Sequence, residues 1–199
     1  MPTQIDCINR ALLKLGEEPI ISLGVETKTE RTVSAVYTTL LRAELQRNRW
    51  AFAVELASLA LLADAPAWGF DKAYQLPDDC LSLIWVDGAG RDENAQSFID
   101  VDSSPYRVMG RQIHTDLDAP LPIRYIAFLD NPDVWDAAFF EAFALRLAYE
   151  MCETLTQNPQ KRGMLWSEYL GVVAQARRLA AIQEPPTGIP DGAWLQARL

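Results

Sequence analysis

Two aspartates and a histidine are the residues of this sequence whose types would suit acid–base or metal chemistry. Asp78 and Asp79 directly follow Pro77, and His114 is the single histidine of the chain. Adjacent side chains of an extended segment point to opposite sides, so the aspartates would share a ligand site only across a turn. Their position after proline favours ordinary turn residues. The alternative, a small hydrolase or metal-dependent enzyme using Asp78, Asp79 and His114, requires the three groups to converge in a pocket.

The cysteines and glycines offer no stronger chemical pattern. Cys7, Cys80 and Cys152 are widely spaced and odd in number, which predicts reduced thiols. A structural zinc site is not expected, because the chain has no C-x-x-C pair and one histidine. Gly88-Ala89-Gly90 lacks the third glycine and the following helix of a phosphate-binding loop, so we interpret it as a turn. We therefore predict no catalytic residue, no metal and no cofactor.

A group of arginines stands near residue 45 of this acidic chain. Arg42, Arg47 and Arg49 fall at the predicted end of a helix, where cations complement the helix dipole. The other interpretation is that they form ion pairs with a second subunit or a partner, since guanidinium groups suit carboxylates. Both interpretations stay open. Arg177 and Arg178 are expected to lie on a solvated helix face.

The last fifteen residues differ in composition from the rest of the chain. Pro185, Pro186, Gly188, Pro190 and Gly192 preclude regular structure. An apolar pair lies within this tail, and it needs a surface on which to dock; we favour a neighbouring subunit as that surface. The pair is Trp194 and Leu195.

Composition and charge restrict the possible partners. The chain has 199 residues, 49% hydrophobic and 23% charged, which is typical of a globular protein. Its 18 basic and 27 acidic residues give a net charge of −9, so direct affinity for nucleic acid is not expected. No apolar run approaches the roughly 20 residues of a membrane-spanning helix, and the N-terminus lacks a signal-peptide pattern. We expect the chain to fold in a cytoplasm, without a membrane partner.

Helical periodicity is found at both ends of the sequence. Thr3 with Asp6 and Thr27 with Glu30 are capping-box patterns that precede apolar stripes, and the two predicted helices end at Gly16 and near Asn48. In the C-terminal region, Asn-Pro pairs at 131 and 158 predict the starts of two further helices, which reach about residues 156 and 182.

The middle of the chain is typical of short strands and turns. We predict strands at 74–76, 80–86, 106–109, 112–115 and 123–128, with Phe98 in a further extended segment and Gly110-Arg111 as a hairpin turn. Residues 51–63 are ambiguous, because Ala and Leu also favour helix. The predicted class is α+β: a helical bundle from residues 1–50 and 131–184, a central antiparallel β-sandwich or barrel at 51–130, and an extended tail at 185–199.

Several segments, taken in order, resemble the tail tubular protein A family, the head-to-tail adaptors of short-tailed bacteriophages. The carrying segments are NRALLKLGEEPI at 9–20, LQRNRW at 45–50, WAFA at 50–53, YQLPDDCL at 74–81, IRYI at 123–126, FFEAFALRLA at 139–148 and TLTQ at 154–157. They cover most of the chain to about residue 183. The loop after Gly24 is short for the family, and the tail beyond Glu184 has no matching pattern.

The resemblance implies a virion protein that forms a dodecameric ring between the portal and the tail nozzle protein, without enzymatic activity. It implies that DNA passes through the ring without specific binding, and that subunits assemble in the host cytoplasm. Twelve copies of charge −9 sum to −108 formal charges, part of which would repel DNA in a channel. A host-directed interaction module encoded by a phage is a further alternative.

Overall fold

The computed structural model describes residues 2–24, 27–89 and 105–183, with the side chains of α4 described to residue 179. Four helices and six strands make up the described part. In chain order they are α1 (Gln4–Leu15), α2 (Lys28–Arg47), β1 (Val54–Leu59), β2 (Lys72–Gln75), β3 (Cys80–Val86), β4 (Tyr106–Met109), β5 (Gln112–Thr115), β6 (Leu121–Ala127), α3 (Ala137–Thr156) and α4 (Pro159–Gln183). The α+β class predicted from the sequence is confirmed.

The ends of the first two helices follow the predicted capping residues. The Thr3 side chain accepts a hydrogen bond from the Asp6 amide, and the Asp6 carboxylate accepts one from the Thr3 amide. Gly16 ends α1 with φ 74°, a left-handed conformation that glycine adopts without strain. Thr27 caps α2, which ends at Arg47, close to the prediction.

The start of α3 differs from the prediction. Asn131-Pro132 begins a short 3-10 turn at Pro132–Val134, and α3 itself starts at Ala137. The Asp136 carboxylate provides the cap, because it accepts a hydrogen bond from the Phe139 amide at 2.6 Å. The predicted start at 131 was therefore wrong by about one and a half turns, although the predicted end at Thr156 is confirmed.

The four helices, which we call the helical part, pack around an aromatic core. α3 contacts each of the other three helices and is the most buried of them. Phe139 is fully buried, and its ring centroid lies 5.0 Å from those of Trp50, Phe52 and Trp135. The Lys161 ammonium donates a hydrogen bond to the Leu15 carbonyl at 2.5 Å, so the C-terminal end of α1 is also attached to α4.

The six strands form two antiparallel sheets, with the orders β1-β6-β3 and β2-β5-β4. Residues of both sheets contribute to one apolar core, so we call this unit the sandwich; it is not a closed barrel. Its largest fully buried side chains are Tyr74, Ile113, Leu121 and Ile123. The Gly110-Arg111 hairpin and the strands it joins are confirmed. The predicted segment that contains Phe98 lies outside the described residues.

The ambiguous segment after α2 is mainly a strand. Residues Ala51–Ala53 form a short 3-10 turn, and β1 then pairs with β6 along six positions, from Val54–Ile126 to Leu59–Leu121. This pairing outweighs the helix preference of Ala and Leu. Strand β6 begins at Leu121, two residues earlier than predicted. No helix of the described part is long and apolar enough to cross a membrane.

Candidate interaction surface

The C-terminal half of α2 carries the three arginines identified in the sequence. The Arg42 guanidinium lies 4.1 Å from the ring centroid of Phe128, which follows β6. Arg47 lies 5.6 Å from the Trp166 ring and 5.8 Å from the Tyr169 ring of α4. These distances are typical of cation–π contacts. Arg49 is exposed. Within the described ranges, none of the three forms a salt bridge.

A buried polar network lies between the end of α2 and α4, next to Arg47. The Glu44 side chain is 2% exposed, and the Tyr169 hydroxyl lies 2.9 Å from both carboxylate oxygens. The Asn48 amide nitrogen donates a hydrogen bond to Oε1 of Glu44 at 3.2 Å. The Trp50 indole donates to the Glu44 backbone carbonyl at 3.2 Å. This network attaches the end of α2 to the middle of α4.

The electrostatic effects within this network oppose one another. Burial raises the pKa of Glu44, whereas the hydrogen bond from Tyr169 and the charges of Arg47 and Arg146 act to lower it. Burial and the nearby Glu44 carboxylate raise the pKa of Tyr169 to about 12. Tyr169 therefore stays a hydrogen-bond donor at neutral pH, and the protonated form of Glu44 is favoured relative to an exposed glutamate.

The same network brings Arg177 of α4 next to the end of α2, and Arg178 follows it in the chain. Arg177 donates hydrogen bonds through two guanidinium nitrogens to Oδ1 of Asn48, one of them at 3.0 Å. Arg177 is exposed, as expected for a solvated helix face, and it is also held by a hydrogen bond to an amide 129 positions away. Arg178 is exposed, as expected. We call Arg47, Arg49, Arg177 and Arg178 the arginine cluster.

The tail residues Trp194 and Leu195 lie outside the described residues, so their proposed docking on a neighbour stays a prediction. The arginine residues and the tail remain the candidate contacts. Arg47 and Arg49 belong to the arginine cluster, whereas Arg42 lies on the Phe128 side of α2, toward the sandwich.

The residues of the enzymatic alternative have separate contacts. Asp78 and Asp79 form a turn after Pro77, as predicted, with the Cys80 amide donating to the Pro77 carbonyl at 3.0 Å. The Tyr125 hydroxyl of β6 lies 3.3 Å from the Asp79 carboxylate. His114 lies in the other sheet, where its Nε2 is 3.3 Å from the Gln112 side chain. No hydrogen bond joins His114 to either aspartate within the described chain.

A shallow groove of about 400 Å³ lies between β3 and the β4–β5 hairpin. Its lining is mixed in polarity and includes Cys80, Ser82 and Arg111. Burial raises the pKa of the Cys80 thiol more strongly than the positive charge of Arg111 lowers it, which disfavours the nucleophilic thiolate. In the described part of the chain, no group of three or more His, Cys, Asp or Glu side chains is arranged to hold a metal ion.

Sequence reasoning missed Glu44, Asn48 and Tyr169 as partners. One signal was available: Glu44 follows Leu41 by three positions and precedes Leu45, so it falls on the apolar stripe of α2. A charged residue on such a stripe requires a buried partner. The identity of that partner depends on how α4 packs against α2, and Tyr169 lies 125 positions from Glu44.

The arginine cluster is a surface that is suited to binding. Guanidinium groups with few internal acidic partners can bind carboxylates or phosphates through paired hydrogen bonds. A comparison with known protein families finds no family that matches the chain, and a comparison with curated proteins finds no similar one.

Proposed function

We propose that this chain is a structural subunit of a phage particle, a head-to-tail adaptor whose ring joins the portal to the tail nozzle and forms part of the DNA ejection channel. The observation that carries the proposal is the ordered set of segments, from residue 9 to residue 157, that resembles the tail tubular protein A family. The order matters more than any single segment, since each one alone is short and common.

The arrangement of the fold supports the same role. Helices from the two ends of the chain pack together around Phe139 and Phe143, and the sandwich lies between them in sequence. The Gln46 side chain donates a hydrogen bond to the Leu81 carbonyl at 2.7 Å, so α2 also contacts the edge strand β3. A rigid scaffold of this kind can present separate surfaces to several neighbours.

The charge of the chain supports a channel-forming role. At −9 per copy, a ring of subunits would place many negative charges near its axis. Such a surface repels DNA phosphates, so the genome would slide past without adhering. The same charge opposes ring closure, and specific contacts between subunits are then required to hold the ring.

The first test is whether the protein is part of the particle. Purified virions should contain the chain in fixed stoichiometry with the portal, at about twelve copies per particle. Quantitative mass spectrometry against a labelled portal standard measures this ratio. Absence from the virion, with expression in infected cells, would reject the adaptor role and favour the host-directed alternative.

The second test concerns assembly. We expect the purified chain to be a monomer or a small oligomer in light scattering and to form a ring when portal is added. Symmetry averaging of images of the mixture should then show twelvefold density on one face of the portal. A stable ring of the purified chain alone would contradict ordering on docking, and no density on the portal would contradict the role itself.

A further inference from the structure

Charge is distributed unequally between the two parts of the chain. Residues 51–130 contain thirteen acidic and five basic residues, a formal charge of −8. Residues 1–50 and 131–184 contain thirteen acidic and twelve basic residues, a formal charge of −1. The net negative charge of the protein therefore lies almost entirely in residues 51–130. Most of the basic residues lie in the helical part.

Five exposed aspartates lie in the turns beside the end of the sandwich at which β6 begins. The Asp71 amide donates to Oδ1 of Asp116 at 2.8 Å, and the Lys72 ammonium donates to Oδ1 of Asp118 at 2.7 Å. A Cβ at Gly88, beside Asp87, would lie 3.5 Å from the side chain of Leu117. We call this set the acidic rim: Asp64, Asp71, Asp87, Asp116 and Asp118.

The acidic rim and the arginine cluster lie apart within one molecule. Strand β1 starts six residues after Asn48, with Val54 paired to Ile126. It ends at Leu59, which pairs with Leu121 at the end of β6 that lies beside the acidic rim. Six residues of strand span about 20 Å at 3.3 Å per residue, which is far beyond hydrogen-bonding distance. The two charged surfaces therefore do not neutralise each other internally.

The side chains of the arginine cluster are exposed, and none of them forms a salt bridge in the described part of the chain. Arg47 lies near the rings of Trp166 and Tyr169, and Arg177 donates to the neutral amide of Asn48. These contacts fix the direction of the guanidinium groups of Arg47 and Arg177 without neutralising their charge. A positively charged surface that is oriented in advance loses less entropy when it binds an acidic partner.

We propose that the arginine cluster of one copy binds the acidic rim of a second copy. This inference rests on the proposed function in one respect, namely that copies of the chain contact one another. The two surfaces are different, so the contact is head-to-tail, and its repetition by rotation produces a ring. A second copy is favoured over DNA as the occupant because the chain itself carries a matching acidic surface and has a net charge that repels phosphate.

The test is sedimentation velocity on the full chain over a wide concentration range. Association should weaken between about 50 mM and about 500 mM salt, since the Debye length shortens. The variant Arg49→Glu/Arg178→Glu should raise the dissociation constant at least about tenfold, which corresponds to about 1.4 kcal/mol. Arg31→Glu is the matched control: Arg31 is exposed on the same helix, 16 positions before Arg47, or about 24 Å away.

A charge exchange sharpens the test. Asp64→Arg/Asp71→Arg reverses the charge of two side chains of the acidic rim and should also weaken association. An equimolar mixture of this variant with Arg49→Glu/Arg178→Glu should associate again, because the acidic cluster of one variant then binds the basic rim of the other. Circular dichroism should show the same helix content for all variants as for the unmodified chain.

Three outcomes would overturn the inference: equal effects of the cluster variant and Arg31→Glu, no recovery in the mixture, or a monomeric unmodified chain at every concentration and salt. Loss of binding to a labelled DNA duplex in the cluster variant, with self-association unchanged, would assign the arginines to phosphate instead. Each of these leaves the adaptor role intact, since the role is decided by the virion stoichiometry and the portal complex.

Discussion

The helical part and the sandwich bury different kinds of side chain. The helical part holds Glu30, Glu44 and Asn48 in its interior. Thr115 is the one buried polar residue found in the described strands, and its hydroxyl donates to the Pro105 carbonyl at 2.7 Å. The sandwich therefore has an almost wholly apolar interior, whereas the bundle keeps two carboxyl groups inside.

On the surface, the charges of the two parts are distributed the other way round, with the acidic groups on the sandwich and the basic groups on the helical part. Aspartates accumulate at the rim of the sandwich, and arginines accumulate where α2 meets α4. Burial of Glu44 contributes to this contrast, because it places a carboxyl group below Arg47 where external partners cannot contact it. An acidic group in the core thus helps, through Asn48, to orient a basic surface.

The largest expected effect comes from the aromatic core of the helical part. Phe139→Ala removes a ring that is fully buried and in contact with Trp50, Phe52 and Trp135, so unfolding free energy should fall by about 3–5 kcal/mol. Urea denaturation followed by tryptophan fluorescence measures the loss. Leu13→Ala, at a side chain that is 62% exposed, should change stability by less than about 0.5 kcal/mol.

The same experiment tests whether the two parts unfold together. Ile113→Ala, in the sandwich core, should destabilise by about 2–5 kcal/mol. Because Trp50, Ala53 and Ile126 pack in the helical core cluster, we expect one transition for both variants. Two separate transitions in either variant would show that the comparison concerns two independent units.

Local signals predicted the ends of several elements correctly. The capping residues Thr3 and Thr27, the glycine at 16 and the hairpin turn at 110–111 each act within a few residues, so a sequence pattern is sufficient to locate them. Strand β1 could not be predicted in this way, because Ala and Leu permit both states and the pairing partner, β6, begins 67 positions after β1 begins.

The candidate site was predicted only in part. The sequence showed Arg42, Arg47 and Arg49 as a group, since they are close neighbours. It did not show Arg177 as a member, because this residue joins the group through Asn48, 129 positions earlier. The acidic rim is likewise assembled from three separate turns of the sandwich, and its formation depends on the order of the strands.

The next effect in size concerns the buried network. Tyr169→Phe keeps the ring but leaves the Glu44 carboxylate without its hydroxyl donor, so stability at neutral pH should fall by about 1–3 kcal/mol. The matched control is Tyr149→Phe, because the Tyr149 ring also contacts Trp166, at 4.9 Å between centroids. Chemical denaturation of both variants measures the two losses, and equal losses would mean that the Tyr169 hydroxyl contributes no more than the Tyr149 hydroxyl.

The pH dependence of stability follows from Glu44. Burial raises the pKa of this carboxyl in the folded state, so the folded chain retains a proton that the unfolded chain releases above about pH 4.5. This contribution is fully present below the unfolded pKa and is lost as pH rises through the folded pKa. Glu44→Gln should remove that part of the slope and leave the neutral-pH stability equal or higher.

Denaturation curves at several pH values between about 4 and 8 test this expectation. Glu55→Gln is a suitable control, because Glu55 is a half-buried carboxylate of the sandwich that also accepts a hydrogen bond from a tyrosine, Tyr125. An unchanged slope in Glu44→Gln would show that the pKa of Glu44 does not differ between the folded and unfolded states. A steep loss of stability at neutral pH in Glu44→Gln would show that the ionised carboxylate stabilises the helical part.

The smallest expected effect comes from Gly171, on the exposed face of α4. A substitution there tests whether this face contacts a neighbouring subunit. A Cβ at Gly171 would meet no atom within 4 Å, so Gly171→Ala should stabilise the isolated chain by about 0.5–1 kcal/mol through the helix preference of alanine. Gly16→Ala is the contrasting control, because φ 74° disfavours alanine and stability should fall. If Gly171→Ala stabilises the monomer but prevents ring formation on portal, a neighbouring subunit packs closely against the backbone at Gly171. If both stability and assembly improve, the arginine cluster and the acidic rim hold the subunits together without this face of α4.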